Sequence, residues 1–155
     1  KQFIQKLQTN SMRILIVCTG NSCRSQMAEG YVRAIAPASW EILSAGTRPE
    51  RETNPFAIRA MAEIGIDISQ QRPKSVELFA QDEFDFVITV CGGAKEQCPV
   101  FSGNVRNRLH IGFPDPADAR GTDEEVMAVY RQVRDDIMIG FKSFVDSINN
   151  KLAGK

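Results

Sequence analysis

The sequence predicts an α/β fold: one domain in which parallel strands alternate with helices that cover both faces of the sheet. Three observations carry this. Two largely apolar runs, Ile14-Leu15-Ile16-Val17 and Phe84-Asp85-Phe86-Val87-Ile88-Thr89-Val90, have the form of strands buried on both faces. Segments with apolar residues three and four apart lie between and after them, as amphipathic helices require. Finally, 155 residues at 43% apolar composition suffice for one substantial core, and no repeat, low-complexity segment or second domain interrupts the pattern.

Residues 1–11 carry Phe3, Ile4 and Leu7 at roughly helical spacing in otherwise polar surroundings. They read as an N-terminal extension, either tag-derived and preceding a native start at Met12, or a short helix. The domain is assigned to 12–150 and a tail to 151–155. From Arg13 the first strand runs to Cys18. The helix after it carries Met27, Ala28, Tyr31, Val32 and Ile35, and Pro37 stops it. Trp40 to Ala45 is a short second strand closed by Gly46.

A charged loop leads to Asn54, a suitable cap for a helix that accepts Pro55 in its first turn. Ala57, Ile58, Met61 and Ile64 form its inner stripe and Gly65 ends it. Residues 66–83 are less regular, and Val76, Leu78 and Phe79 suggest a short helix there. The third strand, 84–90, ends at Cys91, and a polar loop leads from it to Cys98, which Pro99 biases toward extended backbone. Arg106 to Gly112 is a weaker fourth strand, followed by the rigid loop Phe113-Pro114-Asp115-Pro116-Ala117. Thr122 and Glu125 form a capping-box pattern ahead of the longest helix, striped by Val126, Val129, Val133, Ile137, Phe141, Phe144 and Ile148.

The candidate site lies between the first strand and its helix: Cys18-Thr19-Gly20-Asn21-Ser22-Cys23-Arg24-Ser25. Five residues between Cys18 and Arg24 are enough to wrap backbone N–H groups around one tetrahedral anion, with Gly20 expected to supply the left-handed backbone of such a nest. The helix N-terminus favours negative charge at the same point. Arg24 and that terminus are expected to stabilise Cys18 as a nucleophilic thiolate, and Ser25 to hydrogen-bond its sulfur.

Nineteen basic and nineteen acidic residues cancel, so no general attraction to nucleic acid or an anionic membrane is expected. No apolar run approaches the ~18 residues of a membrane span, and no signal-peptide core precedes Met12. A cytoplasmic location follows as the expectation. In that setting four cysteines point to catalysis, redox chemistry or metal binding rather than a structural disulfide framework. The spacing of Cys18, Cys23, Cys91 and Cys98 fits structural zinc poorly, so no metal is assigned.

The run Val17-Cys18-Thr19-Gly20-Asn21-Ser22-Cys23-Arg24-Ser25-Gln26-Met27-Ala28-Glu29-Gly30 resembles the active-site loop and first helix of thioredoxin-coupled arsenate reductases. These share their fold with low-molecular-weight protein tyrosine phosphatases. The resemblance extends from Arg13 to near Ile148 and implies a three-layer domain with a four-stranded parallel sheet in order 2-1-3-4. In that order the strands ending in Cys18 and Cys91 are neighbours, about 4.8 Å apart.

The resemblance also implies a chemistry. Cys18 attacks arsenate, Cys91 attacks Cys18 and releases arsenite, and Cys98 attacks Cys91 to leave a disulfide for thioredoxin, the external reductant. Thr19, Gly20, Asn21, Ser22, Cys23 and Arg24 bind the oxyanion, and Asp115 is the general acid. No bound cofactor is implied, and a monomer is expected. Ala117-Asp118-Ala119 offers no ring to stack on phosphotyrosine, which favours a small inorganic anion.

Cys23 is either a packed loop residue or the partner of Cys18 in a protective disulfide, as in the related phosphatases. His110, the lone histidine, is expected to be packed or on the surface. Some relatives bind potassium through Asn21-, Glu29- and Ser44-like residues. Here Lys74 and Gln71 stand nearby, and a fixed ammonium in place of the cation implies no potassium requirement. The alternatives are a low-molecular-weight phosphatase and a noncatalytic arsenite or thiol sensor.

Overall fold

The computed structural model describes residues 11–92 and 100–154. Four strands, β1 (Arg13–Cys18), β2 (Glu41–Gly46), β3 (Glu83–Thr89) and β4 (Asn104–His110), alternate with α1 (Arg24–Ile35), α2 (Pro55–Ala62) and α3 (Asp123–Leu152). They form one parallel sheet in the order β2-β1-β3-β4, the order implied by the resemblance. The expectation for the extension falls mostly on residues 1–10, outside the described residues, as does Cys98.

Alternation along the central strands divides the core in two. Ile14, Ile16, Ile42, Phe86 and Ile88 face Met27, Val32, Met61, Tyr130, Ile137 and Phe141 from the three α-helices. On the other face Leu15, Val17, Ala45 and Val87 meet Phe84 and Phe101, with Val76 and Phe79 packed alongside. The irregular stretch 66–83 thus contributes a single 3-10 turn, Val76–Phe79, as the helical cover of that second face. Fully burying an aliphatic side chain contributes about 1.5–3 kcal/mol, and Ile14, Leu15, Ile16 and Val17 are all fully buried.

The helix ends follow the sequence. Asn54 caps α2 by accepting from the Phe56 N–H at 2.8 Å, with Pro55 in the first turn. Thr122 and Glu125 close a reciprocal capping box on α3. The expected stripe of α3 needs one correction. Val129 is 40% exposed, and Met127 and Tyr130 are buried instead. At 3.6 residues per turn Val129 lies about 100° from the centre of the face marked by Tyr130, Ile137 and Ile148, and so points out of the core. The fourth strand also starts and ends two residues earlier than expected; it is an edge strand of alternating half-buried and exposed residues, so its hydropathy marks its limits weakly.

The register brings the chemistry to one edge. Cys18 pairs with Gly46 at the end of β1 and β2. Val17 pairs with Thr89, and the Val90 N–H donates to the Val17 carbonyl at 3.1 Å, carrying the pairing one step beyond β3. Cys18 and Cys91 therefore leave neighbouring strands at the carboxyl edge, where ligands bind in open parallel sheets.

Candidate active site

Residues 18–23 leave β1 and are held from outside by the segment after β2. The carbonyls of Cys18, Thr19, Gly20 and Ser22 accept from the N–H groups of Thr47 (3.3 Å), Arg48 (2.9 Å), Glu50 (2.9 Å) and Asn54 (2.9 Å). With those carbonyls satisfied outward, the loop can offer N–H groups inward at the start of α1, the arrangement of an anion nest. Gly46 makes this packing possible, since a Cβ there would overlap the Thr19 carbonyl.

The left-handed residue of the nest is Asn21, with φ of 52°, and not Gly20 as expected. Asn tolerates this conformation better than most residues, and here its side chain is completely engaged. Its Nδ2 donates to Ser25 Oγ at 2.8 Å and Ser44 Oγ at 2.9 Å. Its Oδ1 accepts from the Lys74 N–H at 2.8 Å and from Gln26 Nε2 at 3.2 Å. Asn21, Ser25, Gln26 and Ser44 are fully buried, so the network fixes the loop where an unpaired polar group would be costly.

Cys18 is 3% exposed. Its sulfur lies 2.9 Å from Ser25 Oγ and accepts from the Asn21 N–H at 3.2 Å. The Asn21 N–H comes from the loop and the Ser25 hydroxyl from the first turn of α1, so the sulfur is held from both sides of the anion nest. Thr19, Gly20 and Ser22 are half-buried around it.

Arg24 is 4% exposed and is anchored across the sheet edge. Its Nη1 donates to the Phe113 carbonyl at 3.0 Å, and its Nη2 lies 3.6 Å from Asp115 Oδ2. Asp115 is held by its own turn, accepting from the Ala117 N–H at 3.0 Å, and its side chain remains 34% exposed. A Cβ on Gly92 would strike the Phe113 backbone, so the loops after β3 and β4 interlock beside Arg24. The nucleophile loop and the Asp115 loop are thereby brought face to face.

Cys23 is a free thiol, buried, with Ser22 Oγ at 3.6 Å and the Tyr130 hydroxyl at 3.7 Å. Burial pushes its thiol up to about 11, against smaller opposing hydrogen bonds from Ser22 and Tyr130. Tyr130 is likewise pushed upward by burial and by the charge of Cys23. Cys18 is also free, whereas Cys91 is disulfide-bonded and buried.

Two further expectations can be located. His110 is on the exposed edge strand with Nδ1 2.7 Å from Thr89 Oγ1. Lys74 Nζ lies 4.0 Å from Glu29 Oε1, behind the loop, and donates to the Arg72 carbonyl at 3.0 Å. Glu29 also accepts from Ser44 Oγ and pairs with Arg33 at 2.8 Å. Burial lowers the Lys74 ammonium pKa, while Glu29 opposes that shift. Among the described residues no group of three or more His, Cys, Asp or Glu side chains could hold a metal ion.

Sequence reasoning did not single out Gln26 or Tyr130. Gln26 Nε2 also donates to the Asn21 carbonyl at 3.0 Å, and Gln71 Nε2 donates to Gln26 Oε1 at 2.7 Å. A polar residue on the inner face of α1 was the only signal for Gln26. Tyr130 could be recognised only as a member of the α3 core stripe. The assembled site has a hydrogen-bonded thiol, an anion nest, a buried guanidinium and a carboxyl at its rim, which is equipment for nucleophilic attack on a tetrahedral oxyanion.

Comparison with known proteins agrees with this geometry. The low molecular weight phosphotyrosine protein phosphatase family model matches residues 13–153. An arsenate reductase of Halalkalibacterium halodurans is 46% identical over 138 residues, covering 89% of this chain and 98% of its own. A solved arsenate reductase in its reduced state is 31% identical with a TM-score of 0.71, covering 88% of this chain and 98% of its own. A low molecular weight protein tyrosine phosphatase from T. tengcongensis is 26% identical with a TM-score of 0.62, at 88% and 99% coverage.

Proposed function

We propose that this chain, which belongs to the low molecular weight phosphotyrosine protein phosphatase family, reduces arsenate to arsenite and does so by a cysteine relay driven by thioredoxin. The observation that carries the reading is the Cys18 sulfur held by Ser25 and the Asn21 N–H inside an anion nest, on the strand next to the one that leads to Cys91. Its similarity to arsenate reductases over most of its length supports the same substrate.

In the first step the Cys18 thiolate attacks arsenic. A bond forms between sulfur and arsenic, and an arsenate oxygen departs as water with a proton from Asp115. Arg24, held between Asp115 and the Phe113 carbonyl, sets its positive charge at the start of α1 to face the anion, while the Asp115 carboxyl remains at the rim. The Cys91 thiolate then attacks Cys18 Sγ. The sulfur–arsenic bond breaks with its electron pair going to arsenic, which leaves as arsenite, and two thiols have become one disulfide. Cys98 attacks Cys91, frees the Cys18 thiolate, and leaves a disulfide to be reduced by two electrons from thioredoxin.

No bound cofactor enters these steps, and the Lys74 ammonium beside Glu29 supports activity without added potassium. A second reading, hydrolysis of phosphate esters, is favoured by the shared loop. It requires only Cys18, Arg24 and Asp115, and the absence of a ring at Ala117, Asp118 and Ala119 argues for small substrates.

The test is NADPH consumption with arsenate, thioredoxin and thioredoxin reductase. Sustained turnover lost in both Cys91→Ser and Cys98→Ser is expected, with Cys98→Ser still releasing arsenite once. Normal steady-state turnover by Cys98→Ser would eliminate the three-thiol relay. No arsenate-dependent consumption by the wild type would eliminate the reductase assignment.

A further inference from the structure

We propose that Tyr130 is a positioning residue of the active site: from α3, its hydroxyl donates to the Cys23 sulfur and so fixes the second limb of the oxyanion loop. The proposal rests on the reading of residues 18–24 as an anion-binding loop. The first limb, through Asn21, is held by Ser25, Ser44, Gln26 and Lys74. The second limb, Ser22 and Cys23, has among the described residues only the contact of Ser22 Oγ with Cys23 Sγ at 3.6 Å within itself. From outside it is held by Asn54, whose N–H donates to the Ser22 carbonyl at 2.9 Å, and Tyr130, whose hydroxyl lies 3.7 Å from Cys23 Sγ.

Asn54 Oδ1 accepts from the Phe56 N–H, so that residue is fixed by the start of α2. Tyr130 is the side-chain hold, and its phenol has one proton to give to sulfur. The ring is 1% exposed and packs on Phe56 with centroids 5.5 Å apart, so the hydroxyl has little freedom to turn away. Cys23 is the residue immediately before Arg24 and is the N-cap of α1, where the anion-facing N–H groups begin. A shift of its side chain therefore moves both the nest and the guanidinium. Nothing in the chemistry proposed above uses Tyr130 directly, which makes its polar contact to the loop a matter of geometry.

The test uses Tyr130→Phe, which keeps the ring against Phe56 and removes only the hydroxyl, with inorganic phosphate as the binding probe. Phosphate binding, read as protection of Cys18 from iodoacetamide, is expected to weaken about threefold to tenfold, the worth of one hydrogen bond. In a Cys23→Ala background the same substitution is expected to have no further effect, as a double-mutant cycle through one contact requires. The pH profile of Cys23 alkylation supplies the signed readout. Loss of a donor to the thiolate moves its midpoint to higher pH, whereas simple loosening of the site would expose Cys23 and move it lower. Unchanged phosphate binding, an additive cycle, or a midpoint moved lower would each overturn the proposal. None of these readouts requires arsenate reduction, so failure of the redox reading would leave them interpretable.

Discussion

The Ser25 hydroxyl stands 2.9 Å from the Cys18 sulfur, and Asn21 Nδ2 donates to that same hydroxyl at 2.8 Å. With its oxygen occupied by Asn21, Ser25 is left to direct its proton at sulfur. A network built to hold the loop thus also positions the donor that faces the nucleophile.

Removing this donor should slow the nucleophile while leaving the fold intact. In Ser25→Ala, alkylation of Cys18 by iodoacetamide at pH 7 is expected to fall about tenfold, the scale of a hydrogen bond to a charged group. An unchanged rate would mean that the hydroxyl does not act on the thiolate.

Asn21 combines a left-handed backbone with two donors and two acceptor contacts that no other residue can replace. Asn21→Ala should destabilise the protein by about 3 kcal/mol, through orphaned buried partners and backbone strain. Asn21→Gly removes the same contacts but tolerates the conformation, so it should lose less. Urea denaturation gives the order, and a variant with Gly no better than Ala would remove the backbone part of the argument.

Cys23 makes a pH-dependent contribution with a definite sign. Its folded value of about 11 lies above the ordinary 9.0 of the thiol. The folded chain therefore keeps a proton that the unfolded chain loses, and stability is intact below about pH 9 and declines as pH rises through about 11. The decline should be on the order of 2 kcal/mol. Cys23→Ala should lack it, so the stability difference between wild type and variant should shrink across this range; a constant difference would contradict the assignment.

On the far side of the helical layer, Glu63 ties the end of α2 to α3 through Arg131 and Arg134, each at 2.9 Å. Their guanidinium groups hold the Glu63 carboxyl down to about 2 from an ordinary 4.5. Its contribution is present above about pH 4.5 and is lost as pH falls through about 2. Glu63→Gln should lower Tm modestly at pH 7, with the gap closing toward pH 2 and narrowing in high salt. A gap independent of pH would attribute the effect to packing instead.

Much of the site was legible because its chemistry is local in sequence. Cys18, Arg24 and Ser25 lie within one turn of chain, and the apolar run before them and the helical spacing after them say where that turn sits. For Asp115 the Pro-Asp-Pro frame marked only a rigid turn after the weakest strand, and its role as an acid came from the resemblance alone. Gly20 illustrates the opposite case. Composition favours glycine as the left-handed residue, yet Asn21 takes that role because Ser44, Lys74 and Gln26 converge on its side chain. Those partners come from different elements, and no local pattern reports their convergence.

The sequence by itself determined the alternation of strands and helices, the caps at Asn54 and Thr122, and the nucleophile loop, since each depends on residues a few positions apart. Only the tertiary structure decided the rest. It set Val129 outside the core and Tyr130 inside, turned Arg24 toward Phe113 and Asp115, and brought Tyr130 against Cys23 across 107 positions of chain. Hydropathy records that a residue is buried. Which buried group it meets depends on strand register and helix packing, which are properties of the assembled chain.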